Sequence, residues 1–352
     1  MLLAILSDSH FGCRNSSQIF LDHTAEFYKN TFFPYCEKHG IKQILHLGDF
    51  FDHRKYINFI ALNHTRRTFL EPLVKAGMTM DIIPGNHDVT FKNTNDLCSL
   101  KELLGYFVEN VNIVMKPKVM NYSGCKIALL PWINIDNYAE SIKFLETCQA
   151  TILGAHLELA GFEMAKGQPP ASHGMDDSCL KRFEMVLSGH YHTKSTRDNI
   201  HYLGTQYEMT WADCDDPKFF HVLDTETRQL TAVRNQSTIY EKLYYDDRSN
   251  SYADIDLSHL SNKFVKVIVS NKTKPAMFEK FIDLVQEAKP NEIKIAESFE
   301  ELTGENVESL ELDTPTETSD LLNLYVDASD TDLDKSLIKS KLNDLYIEAQ
   351  SV

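Results

Sequence analysis

No apolar run in this 352-residue sequence approaches the ~20 residues that span a bilayer, so no membrane contact is expected. No CxxC pair occurs. The seven cysteines are odd in number and scattered, which argues against a zinc ribbon or a disulfide framework and for free thiols in a reducing compartment. The opening MLLAILSDSHF has no basic flank, and its apolar part is too short for a secretion signal; it reads as a first strand. Internal repeats, low-complexity tracts and strongly basic runs are also missing. The nearest to a basic run is HRKYINFIALNHTRR (53–67), with Arg54, Lys55, Arg66 and Arg67, which serves equally well as a solvated helix face or a weak nucleic-acid footprint. From Glu297 to Asp334 there is no Lys or Arg at all against 13 acids, the composition of a solvated linker.

What is present is a chain with 43% hydrophobic residues, long enough for two or three domains. Its formal net charge of -16 is unevenly placed. Residues 236–352 hold 24 acids and 12 Lys/Arg, leaving residues 1–235 near balance with 27 and 23. Five segments in that first part share one form, an apolar run ending in Asp, His or Asn: LLAILSDSH (2–10), QILHLGD (43–49), DIIPGNHD (81–88), ATILGAH (150–156) and MVLSGHYH (185–192). Such runs suit strands buried on both faces. Two stretches of helical character, 17–40 and 56–77, separate the first three and stop at glycines; the second needs an irregularity near Pro72. The alternation predicts an α/β domain with ligands gathered beyond the carboxyl ends of its strands, where each polar cluster falls.

Beyond residue 200 the pattern changes to shorter strands, 199–205, 219–227 and 228–236. A small strand–helix–strand unit follows at 263–269, 275–289 and 291–298. Residues 333–350 return to helical spacing, with Leu333, Leu337, Ile338, Leu342, Leu345, Tyr346 and Ala349 on one stripe.

Taken together, the five clusters offer Asp8 and His10, Asp49, Asn86 with His87 and Asp88, His156, and His190 with His192. Asp8 and His10 are two apart, so an extended backbone points both to one side, and the same holds for His190 and His192. Carboxylate, amide and imidazole without thiolate form a hard-to-borderline donor set suited to Mn, Fe or Zn. The set is large enough for two ions if one carboxylate bridges. Two ions clamp the oxygens of a phosphoryl displacement. His87 then suits the proton donor near the scissile oxygen, with Asp88 beside it to set tautomer and orientation. His46 falls inside a strand and reads as core. His173, in the polar loop AKGQPPASHGMDD, is a candidate border of the substrate cleft, and the cysteines read as buried small hydrophobes.

The ordered set Asp-x-His, Gly-Asp, Gly-Asn-His-Asp, His, Gly-His-x-His resembles the calcineurin-like metallophosphoesterases over about residues 1–210. Within them, GDFFDHRK, IIPGNHDV, LLPWI, GAHLELAGF, LSGHYHT and YLGTQYEMTWADCDDPKFFHVLDTET are most similar to the SbcD-type nuclease subunits of double-strand-break repair complexes, above all the versions in T-even bacteriophages. The resemblance implies two central sheets flanked by helices (1–235), a small α+β capping domain (236–300), an acidic linker (301–318) and a C-terminal helix-loop-helix (319–352) that docks on an SbcC-type coiled-coil ATPase. It implies two divalent ions, manganese first with magnesium as the alternative. One ion would take Asp8, His10, Asp49 and His192, and the other Asp49, Asn86, His156 and His190, with Asp49 bridging. His87 would be the catalytic histidine. Some relatives carry a phosphate-contacting His three residues after the bridging Asp. Here that place is Asp52 and His53 follows, so His53 and Arg54 stand as candidate substrate contacts. The implied activity is metal-dependent DNA hydrolysis, as exonuclease and single-strand endonuclease, by a cytoplasmic homodimer (in the host cytoplasm if phage-encoded).

Two other readings compete. A small-molecule phosphodiesterase or protein phosphatase would share the site but has no use for a docking tail. A scaffold with a degenerate site would have lost ligand positions, and all seven are filled here.

Overall fold

The computed structural model describes residues 1–163, 170–171, 173–248, 250–252 and 255–297, together with positions 335, 337, 339 and 341. The chain divides into the units Met1–Glu297 and Ser298–Val352. The acidic linker 301–318 lies outside the described residues, as does the 319–352 motif apart from those four helical positions.

In chain order the strands are β1 (Leu2–Leu6), β2 (Gln43–His46), β3 (Thr79–Ile82), β4 (Val111–Ile113), β5 (Lys118–Tyr122), β6 (Cys125–Leu130), β7 (Ile152–His156), β8 (Met185–Gly189), β9 (Ser195–Arg197), β10 (Ile200–Tyr202), β11 (Phe219–Asp224), β12 (Leu230–Arg234), β13 (Tyr240–Asp246), β14 (Phe264–Asn271) and β15 (Glu292–Ala296). Two six-stranded sheets, ordered β12-β11-β1-β2-β3-β4 and β5-β6-β7-β8-β10-β9, pack face to face. The near-continuous apolar runs follow from this layering, because alternate side chains serve different layers. Leu3 and Ile5 of β1 meet Ile127, Leu129 and Leu187 of the second sheet, whereas Ala4 and Leu6 face the outer core with Phe27, Phe32 and Phe69. Strands β1 to β4 are parallel, and β11 adds to β1 antiparallel, with Leu2 opposite Asp224. The hairpin of β5 and β6 turns at Ser123 and Gly124, both at positive φ, and was not foreseen from the sequence.

Both long helical stretches carry a π segment just before a proline. Gln18–Phe27 passes through Tyr28–Phe32 into Phe33–His39, and Phe59–Thr65 passes through Arg66–Leu70 into Glu71–Lys75. Pro34 and Pro72 lack an N–H and crowd the carbonyl four residues back, and the wider turn relieves that crowding. This is the irregularity expected at Pro72, and it occurs at Pro34 as well.

A third, parallel sheet, β13-β14-β15, is covered by helix Pro275–Glu287 around Tyr245, Val265, Val267, Phe278, Phe281 and Val285. The polar sequence of β13 concealed it. This sheet belongs to the same compact unit as the two larger ones. It is joined to them by Phe20 stacked on Phe264 and by Glu208, whose Oε2 accepts from the backbone N–H of Ile239 (2.7 Å) and Tyr240 (3.0 Å). Among the described residues no helix is long and apolar enough to cross a membrane.

Candidate metal centre

The five polar clusters meet. Asp8 and His10 follow β1, Asp49 follows β2, and Asn86 and His87 follow β3; His156 ends β7, and His190 and His192 follow β8. Each sheet presents the carboxyl ends of its parallel strands to one place, so residues from both sheets converge.

The expected ligand atoms fall into two groups, and a third grouping brings His87 beside His10 and Asp49. In the first, Asp8, His10 and His192 lie together, with His10 Nε2 only 3.2 Å from His192 Nε2. In the second, Asn86 Oδ1 is 2.9 Å from His156 Nε2 and 2.9 Å from His190 Nδ1. Asp49 lies between them, its Oδ2 3.2 Å from His156 Nε2 and 3.7 Å from His10 Nε2. Its other oxygen accepts from the His87 backbone N–H at 2.8 Å. One carboxylate oxygen therefore faces both groups.

The backbone is shaped for this convergence. Asp8, His10, Asp49 and His190 all have positive φ, at 51°, 41°, 53° and 93°. Such conformations are sparsely populated for non-glycine residues and collect at functional sites. The extended backbone expected for Asp8 and His10 is absent. They reach the same place because both turn into the left-handed region once β1 has ended at Leu6. Asp49 is further fixed by close approach of the neighbouring loop, since a Cβ on Gly85 would collide with its Oδ1.

A shell of buried groups orients these side chains. His156 Nδ1 donates to the Leu47 carbonyl at 2.7 Å, which turns Nε2 toward Asp49 and Asn86. His10 Nδ1 lies 3.2 Å from Asp52 Oδ1, which turns its Nε2 inward in the same way. Asp8 Oδ1 accepts from the His190 N–H, and its Oδ2 from the Ser7 hydroxyl. Ser9, between Asp8 and His10, is held by Tyr28 Oη (3.1 Å), His46 Nε2 (2.8 Å) and Gln206 Nε2 (3.0 Å). Lys218, buried with Asp213 and Asp216, donates to the His192 carbonyl at 3.1 Å. None of these supporting roles was foreseen from the sequence. The signal for Lys218 was one cation after three acids in DCDDPK, and His46 is in the core as expected.

One expectation is corrected. Asp88 does not orient His87. Its carboxylate is fully buried and accepts from the backbone N–H groups of Phe50, Phe51 and Gly85, while His87 Nδ1 lies 2.6 Å from the Asp52 carbonyl. Adjacent residues on this tight loop point apart, Asp88 inward to tie the loops after β2 and β3, His87 outward. Burial, reinforced by Asp49, pushes the Asp88 carboxyl up to about 7. His53 is stacked on Tyr56 with its Nε2 3.7 Å from Asp52 Oδ2; Arg54 follows it, its carbonyl accepting from Thr90 Oγ1. His173 is paired with Glu158 at 3.0 Å, two residues past His156, and part of its loop, 164–169 and 172, is outside the described residues.

The donor set fits divalent cations. Ligand atoms about 3 Å apart are what neighbours roughly 2.1 Å from a shared ion present. Burial would push the Asp49 carboxyl up, yet the imidazoles of His156 and His87 hold it well below the usual carboxylate range. Burial would likewise lower His156, and Asp49 raises it to about 9, so this centre draws positive charge. Burial and the neighbouring His10 push His192 down to about 3, so its ring is neutral with a lone pair to give.

Residues 1–194 match the calcineurin-like phosphoesterase family. The chain is a calcineurin-like phosphoesterase. It is 32% identical to exonuclease subunit 1 of Enterobacteria phage T4 over 352 residues, covering 99% of each chain. A solved novel archaeal phosphodiesterase aligns with 67% of this chain and all of its own at 14% identity and a TM-score of 0.36, a likeness too distant to bear on the site. In this phosphoesterase a further aromatic borders the centre. The Trp132 ring lies 5.3 Å from that of His190 and 5.8 Å from that of His156.

Proposed function

We propose that this phosphoesterase is a DNA nuclease that hydrolyses phosphodiester bonds with two divalent ions, manganese in the first place. Asp8, His10, Asp49 and His192 would hold one ion, and Asp49, Asn86, His156 and His190 the other. The observation that carries this reading is Asp49 Oδ2, which faces an imidazole nitrogen of each group. Bound there, the ions would supply a hydroxide near neutral pH and neutralise charge on the phosphate. The chain's own side chains do the rest. His87, held through Nδ1 by the Asp52 carbonyl, would give a proton to the leaving sugar oxygen. Asp88 ties together the two loops that carry Asp49 and His87. His53 and Arg54 are assigned to the approach of the phosphate backbone.

DNA as substrate is supported by the identity with a phage exonuclease subunit along the whole chain, and the word subunit supports a partner. That partner is taken to be a coiled-coil ATPase docked on 319–352, with the chain working as a homodimer in the cytoplasm. Tyr56, Phe59 and Ile60, exposed together where a helix begins, support the second copy.

The test is direct. With manganese, the purified chain should shorten end-labelled single-stranded DNA, and either EDTA or Asp49→Asn should abolish cleavage. Turnover of small phosphate esters with DNA left intact would replace this reading by that of a small-molecule phosphodiesterase or phosphatase.

A further inference from the structure

Trp132 is partly exposed beside the His156–His190 pair, and its backbone is fixed from three directions. Its N–H donates to the Pro84 carbonyl, on the loop that carries Asn86 and His87, at 2.9 Å. Its carbonyl accepts from the side-chain amides of Asn95 and Asn137, both at 2.9 Å. Asn134 closes the knot, donating to Asn95 Oδ1 at 2.7 Å and, through its backbone N–H, to Asn137 Oδ1 at 2.9 Å. Three asparagine side chains are thus committed to holding one aromatic residue at the rim of the centre. An indole held in advance loses little freedom when a ligand stacks on it.

If a phosphodiester lies against Asp49, Asn86 and His87, the nucleoside attached on the His156–His190 side meets Trp132. We infer that Trp132 stacks on the base of a nucleotide flanking the scissile bond and so sets the enzyme's preference for unpaired strands. The inference rests on the nuclease reading. Every base offers a π-face, so stacking selects no sequence, and it is worth roughly 1–3 kcal/mol per base. A base can stack there only when it has left its own duplex stack, which disfavours intact double helix. Trp132 also covers part of the outer core, and the test separates that duty from stacking.

Single-stranded oligonucleotides carrying one abasic nucleotide, walked across the cleavage point, are cut by wild type, Trp132→Ala and Trp132→Phe. For wild type, one abasic position beside the cleaved bond should lower kcat/KM by roughly 5–150-fold, the range of one stacked base. Trp132→Ala should fall to that level on intact DNA and be insensitive at that position alone, while Trp132→Phe keeps most of the wild-type profile. An alanine variant that retains the wild-type abasic profile, or loses one factor at every position, overturns the inference. A second measurement needs no metal. Trp211, the other tryptophan, packs on Tyr240, so in a Trp211→Phe background emission reports Trp132. In EDTA, an intact oligonucleotide should quench that emission and a fully abasic one should not. Unchanged emission while anisotropy shows the DNA bound would overturn the stacking. If the wild-type chain cuts no DNA, the nuclease reading fails, and the quenching still decides whether Trp132 stacks.

Discussion

Asp52 places Oδ1 3.2 Å from Nδ1 of His10, so this carboxylate supports a candidate ligand from behind. Burial would raise this carboxyl, and the bond to His10 holds it below its ordinary value, which keeps it charged for that task. Asp52→Asn should weaken manganese binding by about 10–100-fold, the usual loss for an outer-shell partner, with the fold intact. Calorimetric titration with manganese checks this, and an unchanged affinity would free Asp52 for a substrate role.

His87→Ala should keep manganese binding and lose roughly 10²–10⁴ in the rate of hydrolysis. Because its ring is oriented by a backbone carbonyl, Asp88→Asn should leave that orientation intact and act through loop stability. Near-normal single-turnover rates for His87→Ala would remove it from proton transfer.

Ser9 is the grip on the strained Asp8–His10 turn. Ser9→Ala leaves Tyr28, His46 and Gln206 short of a buried partner and should cost about 1–3 kcal/mol. Urea denaturation measures it. Wild-type stability would show that the three partners find each other without the hydroxyl.

Glu208 ties β13 to the larger body, and burial pushes its carboxyl up to about 7 against the pull of two backbone N–H bonds. The folded chain therefore holds this proton more tightly than the unfolded chain does. Its contribution to stability is complete below the ordinary glutamate value of 4.5 and is lost as pH rises through 7, on the order of 3 kcal/mol in all. Glu208→Gln keeps an acceptor for both N–H groups and should remove that slope. Urea midpoints taken across this window should fall with rising pH in wild type and stay flatter in the variant, and equal slopes would contradict the assignment.

Deleting 319–352 should abolish binding to the proposed ATPase partner and leave weak cleavage of single-stranded DNA. Co-purification of the truncated chain with the ATPase would move the docking surface elsewhere.

The candidate ligands were legible in the sequence because each is local, a polar cluster closing an apolar run, and five such closings in order leave few alternatives. What surrounds them was not. Lys218, Gln206 and Trp132 act on the centre from 24 to 197 residues away from their partners, distances over which no spacing rule operates. Asp88 misled for a related reason. Adjacency in sequence suggested contact with His87, whereas a sharp loop sends neighbours to opposite sides. In the fold, the parallel strands were visible as near-continuous apolar runs. β13 was not, since half of its YEKLYYD is polar and only packing against β14 defines it.

The first strand of the chain sits between β2 and β11, with residue 2 opposite residue 224. During synthesis the segment bearing Asp8 and His10 therefore has one flank open until more than half of the polypeptide has emerged. A half-made chain still lacks His190 and His192, so the candidate metal centre assembles only after strands of both sheets have been made.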